Sequence, residues 1–165
     1  MIGFFVSLIN TQKVKFALKG LEQRMAQDGL VLVGVPEGAG AYEDGLTIAT
    51  IAAVNNFGSA DGKIPPRPFL APAIEKGAPQ YRRLAEVMLP KVLSGEMEMR
   101  AMLELMGQLA EGHVKQEITD LRTPPNAKST IAAKGSDNPL IDTGNLRQSI
   151  RYVIAEPGDQ IEEGL

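Results

Sequence analysis

The chain has 165 residues, of which 44% are hydrophobic and 22% charged, and its formal net charge is −3. That length and balance suit one soluble globular domain, residues 1–165, and the slight acidity gives no global electrostatic reason to bind nucleic acid. There are no cysteines, which removes disulfides, thiolate metal sites and cysteine nucleophiles together and leaves the redox compartment open. Tryptophan is also absent, so core volume must come from aliphatic residues and seven methionines.

The first residues, Ile2 to Ile9, are apolar and rich in branched and aromatic side chains, as in a buried strand. No basic residue precedes the run and no small-residue cleavage pattern follows it, so it reads as structure and not as a signal peptide. No apolar run approaches the ~18 residues that a membrane span needs. Thr11 is placed to cap a helix carrying Val14, Ala17, Leu18, Leu21 and Met25 at helical spacing, with Gly29 as its stop. Leu30 to Val35 reads as a second strand ended by Pro36. Glu37 to Gly45 holds three glycines without periodicity and is expected to be a flexible loop.

Thr47 is placed to cap a short helix from Ile48 to about Asn56, with Ile48, Ile51, Ala52 and Val54 as its apolar face and Phe57-Gly58 closing it. Pro65, Pro66, Pro68 and Pro72 then argue against both helix and central strand from Ser59 to Pro72. Ile64, Phe69 and Leu70 are the residues that such an extended segment has to bury. A helix is expected from about Pro79 to Leu93, with Pro90 kinking it or ending its regular bonding. Ser94 is positioned to cap a longer helix from Glu96 to about Leu121. On it Met99, Met102, Leu103, Met106, Leu109, Ala110, Val114 and Ile118 form one stripe at spacings of three and four. In a chain without tryptophan, core filling explains these methionines better than an adaptable binding groove does.

Arg122 to Asn138 reads as a long polar, flexible connection whose middle, Asn126 to Lys134, forms a short helix capped by Asn126 and stopped by Gly135. A last strand is expected over Arg151 to Ala155. Together these elements predict an α+β fold. A small mixed or antiparallel sheet of about four strands packs against one long helix and two or three shorter ones. Charge is unevenly placed: Arg122, Lys128, Lys134, Arg147 and Arg151 face only Asp137 and Asp142, and the last ten residues form an acidic tail with Glu156, Asp159, Glu162 and Glu163. Two solvated faces are the expectation for such a pattern.

Three motifs invite a catalytic or ligand reading. Asp142-Thr143-Gly144, preceded by Leu140-Ile141, is the tripeptide of aspartic proteases, whose chemistry needs two aspartates sharing one proton. A single copy calls for a homodimer with most of its sheet downstream of the motif, and the 21 residues after Gly144 are too few for that. As a helix start the motif explains more: Asp142 as N-cap, with Ile141 before it and Leu146 as the fourth helical position making a hydrophobic staple. Gly58 to Lys63 resembles a phosphate loop but is one residue short between its glycines, and Ile64 stands where Ser or Thr would hold magnesium. His113, the only histidine, lies beside the apolar stripe and is expected to be a half-buried structural residue. No Gly-x-Ser-x-Gly elbow accompanies it. The residues therefore call for no catalytic group, no metal and no cofactor.

Three segments together resemble a known family. Asn55-Asn56-Phe57-Gly58, followed by Ile64-Pro65-Pro66-Arg67-Pro68-Phe69-Leu70, is similar to an "N-E-F-G … I-P-x-R-P-F" signature. Pro125-Asn126-Ala127-Lys128-Ser129-Thr130-Ile131 with Lys134-Gly135-Ser136 is similar to "P-N-x-x-S-T-I-x-x-K-G-S". Pro139 to Ile150 matches "P-L-I-D-T-G-x-L-x-x-S-I". These are marks of the phage virion-morphogenesis group of minor tail, tail-completion and head–tail joining proteins. The order and spacing hold from about residue 30 to 155. Asn56 departs from the family's usual Glu, and Lys128 stands where Pro is common. The resemblance brings no catalytic residues with it. It implies a small α+β protein of the virion neck or tail, assembled in the host cytoplasm as a ring around the DNA channel. Its partners would be other copies of itself and neighbouring neck, tail-terminator or head-completion proteins, with non-specific proximity to DNA and no membrane. The alternative from another class is a hydrolase: a dimeric aspartic-type protease built on Asp142-Thr143-Gly144, or a prohead-type protease.

Overall fold

The structure is a computed structural model, and it describes residues 19–20, 23, 29–42 and 45–156. It is mixed α and β, with five helices and a two-stranded antiparallel sheet among these residues. Strand β1 spans Leu30–Gly34 and strand β2 spans Arg151–Ala155. The helices are α1 (Ile48–Phe57), α2 (Leu70–Ser94), α3 (Met99–Asp120), α4 (Lys128–Lys134) and α5 (Asn145–Ser149). The sheet of about four strands is thus two strands within the described residues. The strand expected at Ile2 to Ile9 lies outside them, as does most of the helix expected after Thr11, of which Lys19, Gly20 and Gln23 are helical.

The strands pair in the register Leu30↔Ala155 to Gly34↔Arg151. An isolated pair of strands is marginally stable in water, and here α3 backs one face of it. Gly107, buried on α3, makes the contact close enough: a Cβ there would collide with the ring of Tyr152. Glu111 on the next turn of α3 accepts a hydrogen bond from the Tyr152 backbone amide at 3.2 Å and pairs with Lys115 at 2.5 Å. The expected stripe of α3 faces inward, with Met102, Ala110, Val114 and Ile118 buried.

Helix α2 begins nine residues before the expected start. The prolines do not prevent it, because Pro72 is the third residue of the helix, where no backbone N–H is needed for an intrahelical bond. Pro79 and Pro90 lie in its interior and each removes one such bond. Contacts with α3 flank the first of them: Lys76 pairs with Glu117 at 2.6 Å, and Tyr81 meets His113. Gly95, in the left-handed region at φ 83°, closes α2 with Glu96 N–H donating to Lys91 O and Gly95 N–H to Val92 O. Ser94 is therefore the last residue of α2 and not the cap of α3. Its hydroxyl donates to Lys91 O, and the N-cap of α3 is Glu98.

Thr47 caps α1 as expected, its Oγ1 accepting from Thr50 N–H at 3.1 Å. The glycine-rich stretch before it carries a 3-10 turn at Glu37–Ala39 and a β-bridge between Ala41 and Thr47. Ala39 and Tyr42 pack against the core. That core joins α1, α2, α3 and the last third of the chain through Ile48, Ala52, Phe69, Ala73, Val114, Ile118, Leu140, Leu146 and Ile150. Phe69, Ile118 and Ile150 have no exposed surface, which contributes about 1.5–3 kcal/mol for each side chain. Leu70 is partly buried, whereas Ile64 is exposed.

Candidate functional site

Among the described residues, three polar side chains are buried. Asn56, Arg67 and Asn138 are 8%, 5% and 6% exposed. Burying such groups is costly unless each is hydrogen-bonded, so their partners explain why they are there. All three belong to the stretches that carry the family resemblance or lie between them.

Asn56, near the end of α1, is one turn beyond Ala52 on the buried face. Its Oδ1 accepts from Phe69 N–H at 3.1 Å and from Leu70 N–H at 3.4 Å. It thereby satisfies free amides at the start of α2, a helix whose own N-cap, Phe69, supplies no side-chain acceptor. Arg67 is reached through the proline-braced segment between the two helices, and its backbone N–H donates to Asn55 O at 2.7 Å. Its guanidinium spans to the other side of the fold, with Nε donating to Pro124 O at 2.9 Å and Nη2 to Pro125 O at 3.1 Å. Burial pushes this guanidinium below its ordinary value, yet an arginine remains charged at any physiological pH. Both proline oxygens lie within reach of one planar fork.

Asn138 holds the segment that follows. Its Oδ1 accepts from Leu140 N–H at 2.9 Å and Ile141 N–H at 3.0 Å, and its Nδ2 donates to Thr119 O at 2.9 Å. Those bonds tie the start of Leu140-Ile141-Asp142-Thr143-Gly144 to the last turn of α3. Lys134, at the end of α4, adds a second tie by donating to the carbonyls of Asn138 and Ile141. Burial lowers the Lys134 ammonium below the usual lysine value; the Asp142 carboxylate opposes that, nearby Arg67 reinforces it and Asp137 opposes it again. Nothing in the sequence around Asn56, Arg67, Asn138 or Lys134 marks them as internal ties.

Helix α4 runs close to its expected bounds and stops at Gly135, in the left-handed region at φ 67°. Asn126 is not its cap. The N-cap is Ala127, and Asn126 Nδ2 is buried with no partner.

Asp142 does not cap α5. The N-cap residue is Gly144, at φ 84°, and the only side-chain acceptor there is Thr143 Oγ1, 3.4 Å from Asn145 N–H. Asp142 is exposed. The left-handed turn at Gly144 moves the helix start two residues on, so the aspartate points to solvent beside Lys134 and away from the first-turn amides. Ile141 and Leu146 do both pack on the main core. A cleft of about 250 Å³ opens here, lined by Tyr42, Ile51, Asn55, Lys134, Asp142 and Asn145 among others. Among the described residues, Asp142 is the one carboxylate in its lining.

The phosphate-loop-like turn is closed by its own side chains. Asp61 Oδ1 accepts from the Ser59 hydroxyl at 2.6 Å and from Lys63 N–H at 3.2 Å, and Ser59 Oγ accepts from Ile64 N–H at 2.8 Å. Ser59 and Gly62 amides donate to Ile64 O and Ser59 O. The amides that a phosphate would use are thus engaged, and a carboxylate sits among them. Lys63, then Ser59, hold the Asp61 carboxyl at about 2, down from 3.8.

His113 joins α3 to α2. Its Nδ1 lies 2.7 Å from the Tyr81 hydroxyl and its Nε2 lies 2.9 Å from Gln80 Oε1. Gln80 Oε1 is an acceptor, so Nε2 donates to it, and Nδ1 shares the second bond with the Tyr81 hydroxyl. Buried Gly77 leaves room for the pair: a Cβ would meet His113 Nδ1 and stand 2.5 Å from the Tyr81 hydroxyl. Among the described residues, no three His, Asp or Glu side chains are grouped to hold a metal, and no helix is long and apolar enough to cross a membrane.

Comparison of the chain with family models, with curated proteins and with solved structures gives no match.

Proposed function

We propose that this chain is a structural component of the neck or tail of a tailed phage or prophage, taking part in tail completion or head–tail joining as one member of an oligomeric ring. One observation carries the reading: the segments that resemble the virion-morphogenesis proteins meet in a single hydrogen-bonded assembly. Asn56 of the first segment holds the start of α2, Arg67 of the same signature holds Pro124 and Pro125, and Lys134 holds the chain just before Asp142. Arg67 and Lys134, which match the signatures, act on backbone atoms of their own fold, and so does Asn56, where the signature carries Glu; this befits a protein that works by shape.

The charge distribution adds to this. Arg122, Lys134 and Arg151 each donate to carbonyls of the chain, and Glu156 pairs with Arg100 at 2.8 Å. Lys128 and Arg147 are exposed and remain for contacts between copies, for which the acidic residues Glu162 and Glu163 are the proposed counterparts. Among the described residues, Asp142 is the one carboxylate lining its cleft, so the protease alternative needs its second aspartate from another copy.

The test is mass spectrometry of purified particles combined with deletion of the gene. Peptides of this chain in the particle, and unjoined heads and tails in the deletion, are expected. Particles without the chain, together with normal joining in the deletion, would overturn the proposal.

A further inference from the structure

We draw no further inference here: the strongest candidate, the outer face of the β1–β2 sheet where Leu30 and Val153 are about half exposed, carries none because nothing in the structure shows what covers it.

Discussion

Asn56 and Phe69 are thirteen residues apart, yet the side chain of the first caps the helix that the second introduces, Oδ1 to N–H at 3.1 Å. The acceptor comes from the preceding helix, so α1 and α2 are registered against each other by one amide group. Asn56→Ala leaves the amides of Phe69 and Leu70 without an acceptor in a buried place. We expect a loss of about 1–3 kcal/mol in urea unfolding. Asn56→Asp keeps the acceptor and should fall between alanine and wild type at neutral pH. An alanine variant as stable as wild type would remove this role from Asn56.

Arg67 makes a charge test and a geometry test separable. Arg67→Lys keeps the charge, but its single ammonium cannot reproduce two bonds from a rigid fork to Pro124 O and Pro125 O. Lysine is expected to cost about 1.5–3 kcal/mol, the range for hydrogen bonds to charged groups. Amide exchange at residues 122–127 should rise with it. Protection equal to wild type in that stretch would show that Arg67 does not hold it.

Within Asp142-Thr143-Gly144 the glycine, not the aspartate, should be the costly position. Gly144→Ala forces a side chain into the left-handed region and should destabilise by about 1–2 kcal/mol. Asp142→Asn removes an exposed charge that lies near the Lys134 ammonium, and it should change stability by no more than about 0.5 kcal/mol. Oligomer size and particle assembly should be unaltered. Loss of a proteolytic activity in the folded Asp142→Asn protein would instead support the dimeric protease.

Asp61 offers a pH test with a definite sign. Its carboxyl is held down to about 2 from 3.8, so the bonds from Ser59 and Lys63 stabilise the turn fully above the unfolded value. That contribution is lost as pH falls through about 2. An NMR titration of the Asp61 carboxyl carbon should show a midpoint near 2, and Lys63→Ala should move it upward. A midpoint at 3.8 in the intact protein would mean that the turn is not closed as described.

The proposed contact between copies can be probed through the acidic tail. Glu162→Lys with Glu163→Lys should weaken the assembly, read as a smaller mass in light scattering at fixed ionic strength. Wild-type and variant should converge at high salt, where screening shortens the reach of surface charge. An unchanged mass at low salt counts against the pairing.

Much of the fold is legible in the sequence wherever one residue type announces itself locally. Thr47 before an apolar helix, the three-and-four spacing of Met102 to Ile118, and the branched run Arg151–Ala155 all lie where pattern alone puts them. Pro72 misleads because the prohibition on proline does not apply in the first turn, and the pattern cannot show which turn is first. Asp142 misleads for a related reason: the cap position depends on where Gly144 adopts its left-handed turn, and two residues decide between capping and exposure. Asn56 follows Asn55, Arg67 lies between two prolines and Asn138 follows Asp137, so nothing in their immediate neighbours marks their polar groups as interior. Their burial follows from tertiary closure between segments more than fifty residues apart in the case of Arg67 and Pro124.

The four ties at the centre share one further property. Asn56 reaches amides, Arg67 and Lys134 reach carbonyls, and Asn138 reaches both, but none of them reaches another side chain. Each contact therefore fixes the residue type at one end only, and at the other end it asks only that the backbone stay in place. Paired substitutions across these contacts are not expected among relatives. Any constraint these ties impose on relatives would fall on single positions such as Arg67 and Lys134, with no trace of coupled change between them.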